Sequence, residues 1–488
     1  MKKEPFLTDF PLNIFASSAR KIQASLRKLR ESISSNSLSG YSVLFNDIIS
    51  PDFLHQNDPT LRNRHYGCIP VFWAWISQIL EGNASCSKAV SMMQSWCYSQ
   101  GLNIPSSDTS SYCKGRVRLP DSFIKKASLK VQRHLTNSIT DSDRWHGMTL
   151  KAIDGSSVKL SDTEKNQLQF PQPNTQKAGC GFPVMGITGL LNLSHGGWDA
   201  FTTATLQTHD AVMAWDLMEH IDSGDLLLAD RAYCSFAYIA KLLEKGAHSL
   251  MRLHQKREAA LDWKKGKRVS SFERIVSWKR PEFRNQQKGL SREEWEALPQ
   301  LLSIRLIRLG YEDRTGQKKT MTIATTLTDY NKFDGIQLHN LYARRWEIEL
   351  KLRDIKTTMG FEMMKVKSPE MAIKTLLMVQ LAYNLIRSLM VKSAKNNDID
   401  KEVISFKESL EFTLTMIPSF RVHFNKPRKL KALKSFLIET LSTKLIKIRP
   451  YRSEPRAIKR RPKPYALLNK HRHEFVEIAH RSNYRAPA

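Results

Sequence analysis

The apolar positions of this chain change their spacing along its length. Through residue 135 they recur at helical intervals, over residues 14–33, 69–80 and 87–99, with Gly, Asn, Ser and Pro between the segments. From Thr149 the interval shortens. Residues 150–153 predict a short strand ending at Asp154-Gly155, and residues 182–193 with 198–206 predict a hairpin about Ser-His-Gly-Gly. A helical stretch over 211–220 leads to Leu226-Leu-Leu-Ala, an unbroken apolar run of the kind that a sheet covered on both faces requires, and that run closes on Asp230. Helix 236–244 and strand 249–253 complete this α/β unit. Residues 254–335 are strand-rich and basic, with 303–309 and 320–326 flanking an Asp313-Arg-Thr-Gly316 turn. Helical spacing returns over 341–356 and 370–391.

The organisation predicted is a helical region over 1–135, an α/β core in two parts over 136–253 and 336–395, a β-rich insertion over 254–335 between them, and a basic region over 396–488. At 488 residues the chain has ample length for several domains and a sizeable core.

Residues 341–356, Leu-Tyr-Ala-Arg-Arg-Trp-Glu-Ile-Glu-Leu-Lys-Leu-Arg-Asp-Ile-Lys, read as one helix. Taking Tyr342 as zero and about 100° per residue, Arg345 falls at roughly 300°, Glu349 at roughly 340° and Lys356 at roughly 320°. Ile348, Leu352 and Ile355 cluster at roughly 220–280°, and Glu347 points away at roughly 140°. The helix therefore buries an apolar stripe and presents along its edge one carboxylate flanked by an arginine, a lysine and a phenol. Arg345 and Lys356 are placed to clamp a phosphate beside Glu349.

Charge narrows the choice of partner. Lys and Arg number 76 against 47 Asp and Glu, a formal net charge of +29, far beyond what solubility needs. A polyanion is implied. Basic residues recur throughout instead of concentrating on one amphipathic helix, which favours nucleic acid over a membrane surface. Between Arg421 and Arg472 the only acids are Glu439 and Glu454, and Lys459-Arg-Arg-Pro-Lys463 is a concentrated cationic run. Lys459, Arg460 and Arg461 are candidate DNA contacts, as are Arg231, Arg116 and Arg118.

Cys68, Cys86, Cys97, Cys113, Cys180 and Cys234 form no C-x-x-C pair and have no finger spacing, which argues against zinc and for reduced thiols in a cytoplasmic protein. The first residues lack a secretory pattern. Gln380, Asn384 and Arg387 interrupt the most apolar helix, 376–391, which is also short for a membrane span.

Three acids stand where chemistry could use them, and each has an ordinary alternative. Asp154-Gly155 after a strand is common turn chemistry, Asp230 can cap the segment that follows, and Glu349 can pair with Lys351 or Arg345 on a charged face. Together, two strand-end aspartates and one helix glutamate can converge on a pair of Mg²⁺ ions, hard cations that bind carboxylates and substrate phosphates.

The spacing Tyr342-x2-Arg345-x3-Glu349-x6-Lys356 resembles the Tyr-Arg-Glu-Lys signature of bacterial insertion-sequence transposases, the IS-four family of DDE enzymes. Asp154-Gly155 is similar to that family's first-aspartate motif and Asp230-Arg-Ala-Tyr-Cys-Ser235 to its second. Thr325-Thr-Leu-Thr-Asp329, Ser111-Tyr-Cys-Lys-Gly-Arg-Val-Arg-Leu-Pro120 and Glu454-Pro-Arg-Ala-Ile-Lys-Arg-Arg-Pro-Lys-Pro-Tyr465 agree as well, so the likeness spans nearly the whole chain. The resemblance implies an RNase H-like catalytic core, a mixed sheet with helices, carrying the β-rich insertion. A helical DNA-binding region precedes it, and a helical, basic region for DNA contact or dimerisation follows. It implies Asp154, Asp230 and Glu349 as catalytic ligands of two Mg²⁺ ions, for which Mn²⁺ can substitute, and Tyr342, Arg345 and Lys356 as contacts to DNA phosphate near the cleaved end. It also implies a tryptophan of the insertion stacked on a flipped base, with Trp263, Trp278 and Trp295 as candidates.

The function so expected is a transposase that binds the inverted repeats of its element, pairs two double-stranded ends in a homodimeric complex, and performs metal-dependent cut-and-paste transposition. Water attacks first, then the freed 3′-hydroxyl, with a hairpin intermediate. Neither a small-molecule cofactor nor a membrane is expected, and the protein would be nucleoid-associated. A non-catalytic DNA-binding regulator or domesticated transposase is set against this by the intact acids. An RNase H-like structure-specific nuclease differs in not joining ends.

Overall fold

The computed structural model describes residues 39–59, 65–283, 289–312, 317–447, 468–470 and 474–476. The expected helix over 14–33, the 313–316 turn, and Lys459, Arg460 and Arg461 lie outside the described residues. The chain divides into two compact units, Met1–Val131 with Glu411–Leu437, and Gln132–Leu410 with Ile438–Ala488.

The first unit is helical where described. Helices α1 (Cys68–Leu80), α2 (Cys86–Ser99) and α3 (Ser110–Arg118) pack together, and α1 is buried along its whole length. The Ser85 hydroxyl caps α2 by accepting from the Lys88 N–H at 3.1 Å. Helix α4 (Asp121–Thr136) follows.

The second unit is built on one sheet. Its strands are β1 (Thr149–Leu160), β2 (Val184–Asn192), β3 (Gly197–Thr205), β4 (Asp225–Ala229), β5 (His248–Arg252), β6 (Lys267–Arg268), β7 (Glu273–Lys279), β8 (Leu301–Glu312) and β9 (Lys318–Thr325), in the order β3-β2-β1-β4-β5-β9-β8-β7-β6, with the two-residue β10 (Met363–Met364) pairing parallel with the end of β1. Strand β2 is antiparallel to β1 and β3, while β4 and β5 run parallel to β1. This mixed sheet, with helix α5 (Phe236–Glu244) against it, is the RNase H-like arrangement. The β-rich segment lengthens the same sheet, because β9 pairs antiparallel with β5, Leu250 opposite Thr325. Within it the buried Arg305 is neutralised by Glu273 and donates to the Phe333 carbonyl at 2.6 Å.

The sequence spacing ends the first strand at Asp154, but β1 continues to Leu160. Its antiparallel partner β2 follows it along nearly its whole length, with Asp154 opposite Gly189, whereas the parallel partner β4 stops at Ala229 opposite Ile153. Asp154 is therefore a mid-strand residue at the point where β4 ends. Parallel neighbours in register project from the same face, so the next pair along that register brings Asp154 and Asp230 together. The stretch expected as helix over 211–220 is α-helical only over Asp210–Met213 and 3-10 over Ala214–His220.

The single helix expected over 341–356 is also broken. Helix α6 (Gly335–Ala343) and helix α7 (Trp346–Arg353) are separated by a tight turn in which the N–H groups of Arg344 and Arg345 reach back only three residues, and Asp354–Thr358 is a π-helical turn. Helix α8 (Pro369–Asn396) explains its own polar interruptions. Gln380 donates to the Trp198 and Asp199 carbonyls, Asn384 bonds both the N–H and the carbonyl of Trp198, and Arg387 reaches the His195 carbonyl. These side chains, spaced at i, i+4 and i+7, dock the helix on β3 and its turn. Gly196 there has φ +72, and a Cβ on it would overlap the Arg387 guanidinium. Helices α9 (Phe406–Val422) and α10 (Pro427–Leu441) fall for most of their length within the first unit. No helix among the described residues is long and apolar enough to cross a membrane.

Candidate active site

Asp154 and Glu349 face each other across the guanidinium of Arg345. Arg345 Nη1 donates to Asp154 Oδ2 at 3.2 Å and Nη2 to Glu349 Oε1 at 3.1 Å. The Gly155 N–H donates to Asp154 Oδ1 at 2.9 Å. Burial raises the Asp154 carboxyl above its ordinary value, and Glu349 and Asp230 add to that, while the Gly155 N–H and Arg345 oppose it. Asp230 begins the 3-10 turn Arg231–Tyr233 and leaves β4 in an extended conformation. The long strand β1, the end of β4 and the short helix α7 thus bring the three expected acids to one edge of the sheet.

The accompanying residues separate into those that join this cluster and those that do not. Tyr342 is buried, hydrogen-bonds Arg345 and has its phenol raised by burial. Lys356 Nζ lies 3.4 Å from Ser156 Oγ, two residues along β1 from Asp154. Glu347 pairs with Arg344 on the other side of the helix at 2.6 Å. Arg231 is half-buried beside Asp230, and Arg118 is exposed on α3. Arg116 is buried, its guanidinium 4.3 Å from the Trp75 ring centre, so it presents no free surface for DNA. Trp278 and Trp295 are core residues, and Trp263 is partly covered by Arg308 and Arg274. Trp346 joins the site without having been expected there. It is 58% exposed, next to Arg345, whose guanidinium sits 4.6 Å from its ring centre.

The reverse side of α7 is fixed by buried charge, and this too had no local signal in the sequence. Lys351 Nζ lies 2.5 Å from Glu402 Oε2, and Arg387 Nη2 lies 2.8 Å from Glu402 Oε1. Ile348, Leu352 and Ile355 supply the apolar contact of the same stretch. A cavity of about 420 Å³ lies behind the helix, with Leu350, Asp354, Thr357, Ile404 and Phe406 in its lining.

Among the described residues no three His, Cys, Asp or Glu side chains stand close enough to hold a metal ion as placed. Arg345 bridges two of the three acids, and its charge opposes the burial, and the lesser carboxylate repulsion, that raise Asp154. An all-carboxylate donor set of this kind suits a hard divalent cation.

Residues 145–385 match the transposase DDE domain. The chain is 25% identical over 427 residues to the transposase InsG for insertion sequence element IS4 of Escherichia coli strain K12, covering 87% of this chain and 92% of that protein. It is 31% identical over 108 residues to the putative transposase InsZ of the same strain, covering 22% of this chain and 36% of that one. Among solved structures, a piggyBac transposase synaptic complex with hairpin DNA aligns over 86% of this chain and 87% of its own at 12% identity, with a TM-score of 0.42. The domain match and the near full-length relative agree with the mixed sheet and the acids at the end of its central strands: residues 145–385 belong to the transposase DDE domain family, and the chain is similar over most of its length to the IS4 element's transposase.

Proposed function

We propose that this transposase moves its element by cut-and-paste transposition, with Asp154, Asp230 and Glu349 as catalytic carboxylates. The observation that supports it most is the meeting of Asp154 and Glu349 on one arginine, with Asp230 next in register beside Asp154. The family implies divalent-metal dependence, and these three acids would hold two Mg²⁺ ions, with Mn²⁺ as a substitute. Held by these residues, such ions would supply activation of the attacking oxygen and stabilisation of the leaving oxygen in an in-line displacement.

The chain's own residues bind and orient the DNA. Arg345 exchanges its carboxylates for two oxygens of one phosphate, Lys356 adds a point charge, and the Tyr342 phenol donates one hydrogen bond to the phosphate. Trp346 offers an open aromatic face to an unstacked base. Water cuts one strand, the freed 3′-hydroxyl attacks the opposite strand to give a hairpin, and after reopening it attacks target DNA. One site serves all of these displacements. Two copies of the chain pair the ends, with residues 1–135 reading the inverted repeats and the basic 396–488 region gripping DNA or the partner copy.

A strand-transfer assay tests this reading. Pre-cleaved repeat ends incubated with the protein, Mg²⁺ and a circular plasmid should yield joined products. Cutting without joining would favour a nuclease.

A further inference from the structure

Arg116 belongs to a motif that the active site leaves unused. It lies on α3, 9% exposed and stacked on Trp75. Among the described residues no carboxylate pairs with it, and its Nε has no hydrogen-bond partner. Its Nη1 instead meets the Cys86 sulfur at 3.4 Å. A buried guanidinium requires an anion or a good acceptor, and here a sulfur stands in that place.

Cys86 is the first residue of α2, directly after the Ser85 cap, where free helix N–H groups carry partial positive charge. The Gln78 amide Nε2 lies 3.8 Å from the same sulfur. An arginine, an amide and a helix terminus thus converge on one sulfur atom. Cys113, three residues before Arg116, hydrogen-bonds to Cys86, and burial, with Cys86 adding, holds its thiol above the ordinary value. Cys86 and Cys113 are half-buried, within reach of small solutes. Cys97 and Cys234, by contrast, are buried and pushed up to about 11.

We propose that Cys86 and Cys113 form a redox-active dithiol, in which Cys86 attacks a hydroperoxide and Cys113 resolves the product into a disulfide joining α2 to α3. In the first step the Cys86 sulfur takes the terminal oxygen of ROOH, the O–O bond breaks, and the thiol proton leaves with RO⁻ as ROH. In the second the Cys113 sulfur attacks Cys86–SOH, the S–S bond forms, and water departs with the Cys113 proton. The two sulfurs supply the two electrons that reduce the peroxide.

The full-length protein treated with a small excess of hydrogen peroxide should lose two of its six thiols. A Cys86–Cys113 linked peptide should appear by mass spectrometry and disappear on dithiothreitol treatment. Cys180, the other half-buried thiol, is the internal control and should remain free. The Cys113→Ser variant should instead accumulate a sulfenic acid at Cys86 that dimedone captures, and Arg116→Gln should slow oxidation of Cys86 about tenfold. Oxidation of Cys86 no faster than of Cys180, or linkage of a different pair, would overturn the proposal. None of these readouts depends on DNA cleavage, so they stand or fall apart from the transposition mechanism.

Discussion

Glu402→Gln should destabilise the catalytic unit far more than Lys351→Met, although both break the same ion pair. Glu402 accepts from Lys351 at 2.5 Å and from Arg387 at 2.8 Å, and those cations are 5% and 3% exposed. Burial disfavours the Glu402 charge, but Lys351 and Arg387 hold its carboxyl well below the usual range. A neutral amide in its place leaves two buried cations without their counter-ion, and breaking a buried pair in this way costs about 3–5 kcal/mol. Lys351→Met removes an ammonium that burial already pushes below its ordinary value and leaves Glu402 paired with Arg387. A loss of about 1 kcal/mol or less is expected there. At roughly 2–4 °C per kcal/mol for a unit of this size, Glu402→Gln should melt roughly 6–20 °C lower, and Lys351→Met only a few degrees lower. The pH dependence has a definite sign. A depressed carboxyl contributes stability that is present above its unfolded value of about 4.3 and lost as pH falls through its folded value, so Glu402→Gln should flatten the acid limb of the stability profile. Equal losses in the two variants, or a Glu402→Gln protein within about 1 kcal/mol of the parent, would refute the reasoning.

Other consequences can be measured separately. Arg345→Ala removes the guanidinium between Asp154 and Glu349, so Mn²⁺ should bind the DNA-free protein at least about tenfold more tightly by electron paramagnetic resonance titration while end binding weakens; unchanged metal affinity would show that Arg345 does not hold the acids closed. Burial raises Asp199 to about 6, with Lys151 opposing and Asp225 adding. Because that exceeds the unfolded value of about 3.9, stability should fall as pH rises from about 4 to about 6, and Asp199→Asn should remove that slope in denaturation curves taken across the range. Trp346→Ala should weaken repeat-end binding by about 1–3 kcal/mol with little change in melting temperature, since the side chain is largely exposed.

What was legible in the sequence was whatever a local pattern determines. The helices α1 and α2 begin one residue before the expected segments, and α5 coincides with its prediction because its flanking Ser235 and Gly246 mark a cap and a stop. The unbroken run before Asp230 identified a doubly covered strand. Spacing could not show that β1 continues past Asp154, because its pairing with β2 is made by residues some thirty positions later. The Arg344–Arg345 turn was equally hidden, since helix-forming residues surround it. Glu402 gave no sign in the sequence, as its partners Lys351 and Arg387 become neighbours only through folding. Trp346 could have been found. It falls at roughly 40° on the same helical projection, outside the apolar stripe, where a large aromatic has no core to enter.

The measurement that bears most directly on the central claim is cleavage of a labelled duplex carrying the element's inverted repeat, with Mg²⁺ or with EDTA, by the parent protein and by Glu349→Gln. The parent should cut at the repeat end only with metal, and the variant should bind the end intact without cutting it. Cutting that survives in Glu349→Gln, or cutting that persists in EDTA, would contradict the assignment of the three carboxylates.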